Sequence, residues 1–143
     1  MIRILVVLLT LFVSNAFAKN VDVNKMTQEE LFKIYDKALN NSPENQIIFI
    51  PKQTLHCSGL TGFKKAYNQL LLSSGELSKG FLSSLNCSAM HGWAHGIVVS
   101  IHQDNNVYRL LYRSPFSKKN MRIRYFHASH LTTFSDMKKR ELK

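Results

Sequence analysis

The sequence predicts an α+β fold: helices in the N-terminal half, then a small antiparallel sheet of three or four strands, with one disulfide. Three observations carry this. Between residues 27 and 85 apolar residues recur at helical spacing. After Gly92 the texture changes to short apolar runs separated by turn residues. Cys57 and Cys87 are the only cysteines. Helices first and consecutive strands after is the order of an α+β chain.

The first helix starts at Thr27-Gln28-Glu29-Glu30, a capping box in which the Thr27 hydroxyl accepts from the Glu30 amide. Leu31, Ile34, Tyr35 and Ala38 form its apolar stripe, widened by Phe32 and Leu39. Pro43 ends it, because proline lacks a donor and holds Ser42 extended. The run from Gln46 to Ile50, closed by Pro51, reads as a strand. A second helix follows Gly59, with Leu60, Phe63, Ala66, Tyr67, Leu70 and Leu71 on one face, and stops at Ser73-Ser74-Gly75. A third, from Glu76 to about Leu85, contains Gly80, which weakens a helix by about 1 kcal/mol. Ile97–Ile101, Val107–Arg113 and Met121–Phe126 are the strands, with a turn at Asp104-Asn105-Asn106. In the last strand Arg122 and Arg124 share one face, opposite Met121, Ile123 and Tyr125. The strand aromatics, and Trp93 as an anchor, are expected in the core.

The chain divides into a signal peptide (1–18), a single exported domain (19–134) and a charged C-terminal tail expected to fray (135–143). The first segment has Arg3, an apolar run from Ile4 to Val13, and Ala16-Phe17-Ala18 as a small-residue cleavage pattern. That run is shorter than the roughly 20 residues a bilayer requires, so the mature chain is expected to have no transmembrane segment. Export implies a periplasmic or extracellular setting, where an even pair of cysteines reads as a disulfide, Cys57 to Cys87.

The whole chain carries 19 Lys and Arg against 9 Asp and Glu. The excess is not spread evenly. Residues 109–143 hold ten basic side chains and two acidic ones. A field this one-sided favours an anionic partner. An envelope polymer, lipid head groups or an acidic protein fit an exported chain, and nucleic acid does not. The partner-binding candidates are Arg109, Arg113, Lys118, Lys119, Arg122 and Arg124.

Two other constellations bear on chemistry. His91 and His95 are four residues apart, and His127 and His130 three apart, but no acidic or cysteine ligand accompanies either pair, so neither a metal nor another cofactor is expected. His56-Cys57-Ser58-Gly59-Leu60 precedes a predicted helix, and His95 opens a predicted strand. A thiol at a helix N-terminus and an imidazole on a strand resemble the papain-like NlpC-type cell-wall endopeptidases. The resemblance implies Cys57 as nucleophile, His95 as base and a cell-wall peptide as substrate. His56 stands where that family has Asp. The leading expectation is a non-enzymatic accessory protein that binds an anionic partner, and a thiol amidase is the alternative.

Overall fold

A computed structural model describes residues 22–73, 77–102, 106–117 and 120–141. The signal segment, the Gly75 helix stop, Asp104 and Asn105 of the expected turn, and Lys118 and Lys119 lie outside the described residues.

Helix α1 spans Gln28–Asn41. Thr27 caps it as the sequence requires, its hydroxyl accepting from the Glu30 amide at 3.2 Å. Ser42 takes the extended conformation that a residue before proline prefers (φ −92°, ψ 141°). Helix α2 spans Leu60–Leu72 and helix α3 Lys79–Ser84. Helix α4, Phe134–Glu141, replaces most of the tail expected to fray. Its contacts include the Phe134 amide donating to the Ile47 carbonyl at 2.7 Å, the Phe134 ring against His95, and the Lys138 ammonium meeting the Glu44 carboxylate at 2.6 Å.

Among the described residues the sheet has seven antiparallel strands, not three or four. They are β1 (Ile48–Ile50), β2 (Leu55–Cys57), β3 (Cys87–Ala89), β4 (Ala94–His102), β5 (Val107–Arg113), β6 (Met121–His127) and β7 (Thr132–Thr133), in the order β3-β2-β6-β5-β4-β1-β7. The added strands are two or three residues long, too short for an alternation to be read from sequence. They exist because partners pair with them.

Their pairing defines the architecture. Ile48 opposes Gly96, Ile50 opposes Ala94, Leu55 opposes Ala89 and Cys57 opposes Cys87. Segments 48–57 and 87–96 thus hold one register throughout, as a single long ribbon bent near residues 51–54 and 90–93. At the bend the Gln53 amide donates to the Met90 carbonyl and the Met90 amide to the Thr54 carbonyl. One half of this ribbon extends the sheet beyond β4. The other half bonds β6 through Cys57 and Tyr125. Because β4 and β6 both flank β5, the strand 48–57 closes the sheet on itself.

The closed face holds one core: Ile48, Ile50, Val98, Tyr108, Leu110, Tyr112 and Phe126, with Met90 and Ala94. Ile101, Ala128 and Leu131 pack against it. The outer face takes α1 over Ile97, Val99, Leu111 and Met121, and α2 over Cys57, Cys87 and Val107. No helix among the described residues is long and apolar enough to cross a membrane.

Candidate functional site: a cationic mouth on the closed sheet

The Cys57–Cys87 disulfide is present, joining two directly opposed residues of the ribbon with Cα atoms 4.1 Å apart. This occupies the sulfur that the thiol-amidase alternative needs as a nucleophile, and Cys57 is fully buried beneath α2. His95 lies eight residues beyond Cys87 along the ribbon, past the bend, and its ring meets Trp93 and Phe134. The fold does not bring Cys57 and His95 together.

The imidazole next to Cys57 in the chain is His56, and it lines a different cavity from His95. Alternation puts Cys57 on the outer face and His56 on the inner one. There it packs against Tyr112 and Phe126 and is buried. Its Nε2 shares a hydrogen bond with the Ser88 hydroxyl at 3.0 Å, and Ser88 is its cross-strand partner. Its Nδ1 is buried with no partner. A cavity of about 300 Å³ opens here, lined by His56, Ser88, His91, Tyr112, Phe116 and Arg122, among others. It is the mouth of the closed sheet, where the bent ribbon meets the loop joining β5 to β6.

A serine bonded to a histidine is the start of an acyl-transfer constellation, which also needs a group that raises the basicity of the ring. Here the surroundings do the reverse. Burial, and after it the charges of Arg124, Arg122 and His91, together lower the His56 pKa to about 4. Among the described residues no carboxylate lines the cavity. His56 is therefore a neutral, weakly basic hydrogen-bonding group at pH 7, and the arrangement suits holding negative charge better than moving a proton.

The predicted basic residues divide between the two faces of the sheet. Arg122 and Arg124 share the inner face with Phe126, near the mouth, as the alternation in 121–126 implies. Arg109 and Arg113 are on the outer face. Arg109 donates to the Asn24 side chain at 2.6 Å and lies over the Tyr125 ring, and Arg113 lies over Phe32 and Tyr35 of α1. Both have their Nε atoms buried without a hydrogen-bond partner. Arg113 also borders a second cavity, a groove of about 510 Å³ shared with Tyr35, Trp93, His95 and Pro115. No ion pair engages any of these four arginines among the described residues.

Sequence reading missed His56 and Ser88 as a pair. They are 32 residues apart and meet only through ribbon register. It also misplaced Trp93: the ring is 59% exposed, stacked on Phe49 at 5.9 Å rather than buried in the core. The His127 and His130 rings come within 6.0 Å of each other, against Tyr67. Compared with models of known families, with curated proteins and with solved structures, the chain has no match, and its function is to be read from its own residues.

Proposed function

We propose that this is an exported, non-enzymatic binding protein that engages an anionic partner at the mouth of its closed sheet. One observation carries the reading: Arg122, His56 and His91 line a cavity with no carboxylate among its described lining residues, and the Arg124 charge acts on His56 beside them. Uncompensated positive charge beside a partly desolvated cavity is repaid when an anion enters. The disulfide is compatible with an oxidising compartment. The six acidic side chains described, Asp22, Glu29, Glu30, Asp36, Glu44 and Asp136, all lie elsewhere.

The test is an NMR titration of the full domain with inorganic phosphate and with poly-glutamate. The expected shifts cluster on His56, Ser88, His91 and Arg122, and disappear in the Arg122→Glu, Arg124→Glu double variant. Shifts scattered over the basic surface, or persisting in that variant, overturn the proposal.

A further inference from the structure

The two most conspicuous exposed rings flank the same end of the molecule as the cationic mouth. Trp93 is 59% exposed and Phe116 76% exposed. They stand on separate loops, 90–93 and 114–117, that touch through Gly92 and Pro115. A Cβ built on Gly92 would lie 3.1 Å from the Pro115 Cβ, so glycine is what lets the loops approach this closely. His91 packs on the Phe116 ring with centroids 5.4 Å apart. Behind Phe116 is the cavity holding Arg122, and behind Trp93 is the groove holding Arg113. Among the described residues neither cavity has an acidic side chain in its lining.

Resting on the anion-binding reading above, we infer that this end docks on an anionic lipid surface, with phosphate head groups at Arg122 and Arg113 and the Trp93 and Phe116 rings in the interfacial layer. A soluble polyanion uses the arginines but gives the exposed rings no apolar contact. A lipid surface uses both. Tryptophan, apolar with one N–H donor, suits the boundary between head groups and acyl chains. Cationic side chains near such a surface act additively and fade with salt. Attachment of this kind requires no membrane-crossing helix.

Trp93 is the only tryptophan, so its emission reports on this end alone. The full domain is mixed with vesicles of phosphatidylcholine, or of phosphatidylcholine containing phosphatidylglycerol, and followed by fluorescence and co-sedimentation. The expected result is a blue shift and sedimentation with the anionic vesicles only, reversed by high salt. Arg122→Gln should weaken vesicle binding by roughly fivefold, the effect of one charge near a lipid surface. Trp93→Ser, followed by co-sedimentation, changes an exposed side chain outside the lining of the Arg122 cavity and leaves the far-ultraviolet circular dichroism unaltered. It should weaken vesicle binding while poly-glutamate binding is retained. An equal response to both vesicle types, or full vesicle binding by Trp93→Ser, overturns the lipid inference. Poly-glutamate binding without any vesicle binding sinks the lipid inference and leaves the anion-binding reading standing. Binding to neither removes both.

Discussion

His56 is where sequence, packing and charge meet in one side chain. Its place on the inner face follows from alternation about Cys57, and its burial from the closure of the sheet. The unfolded chain takes up a proton at this ring near pH 6.5, the folded protein only near pH 4. The unfolded state therefore binds more protons across that window, and stability falls as the pH drops from 6.5 towards 4. The lost stability is on the order of 3 kcal/mol from this ring. His95, His102 and His127, whose pKa values are also lowered mainly by burial, act in the same direction. Denaturant unfolding at pH 7 and pH 4.5 should show this loss, and His56→Gln should remove the larger part of it. An unchanged pH dependence in that variant would place the effect on other groups.

Helix α2 illustrates how an element departs from its local preferences. Gly62 lies in its first turn, where alanine would ordinarily favour the helix by about 1 kcal/mol. A Cβ there would come within 2.6 Å of the Leu85 carbonyl oxygen, in the turn after α3. That oxygen belongs to the backbone and cannot rotate away. Gly62→Ala should thus destabilise, by about 1–3 kcal/mol, the range of overpacked sites. Gly80 supplies the control, since nothing lies within 4 Å of the same atom built there. Gly80→Ala should stabilise or be neutral. Thermal melts of the two variants moving in the same direction would contradict this account. Helix α4 departs in the opposite sense: its charged sequence has little apolar face of its own, and contacts to Ile47 and Glu44 hold it on the domain.

At the scale of the whole molecule, the ribbon and its disulfide determine the shape. Closing a loop of 30 residues stabilises by roughly 3–4 kcal/mol on the chain-entropy model. The disulfide also pins the half of the ribbon that bonds β6, since Cys57 is itself the residue paired with Tyr125. The Cys57→Ala, Cys87→Ala double variant should lose stability of that size. It should lose amide protection first at His56 and Ser88, while β5, bonded on both sides by β4 and β6, keeps its protection until global unfolding. Equal loss of protection in β2 and β5 in the variant would show that the ribbon has no separate opening. Since the cavity of His56 and Arg122 is built on this ribbon, the anion binding proposed above should weaken with the local opening.

What the sequence determined by itself lies in its long, strongly patterned segments. Thr27 and Pro43 set the ends of α1, the stripe from Leu60 set α2, and the runs 97–101, 107–113 and 121–126 set the three central strands, with Arg122 and Arg124 on one face. These are local matters, decided by period, cap and turn chemistry within a few residues. An expected oxidising compartment and the even count of cysteines pointed to the Cys57–Cys87 bond, which the structure contains. Tertiary structure alone decided the rest. Leu55–Cys57 and Cys87–Ala89 become strands because each supplies the other's hydrogen bonds across 30 residues of chain, and so does the meeting of His56 with Ser88. Trp93 looked like an anchor because large rings usually repay burial. Its exposure follows from the bend of the ribbon, which places residue 93 at the outer edge of the mouth, and no local pattern records where a ribbon bends.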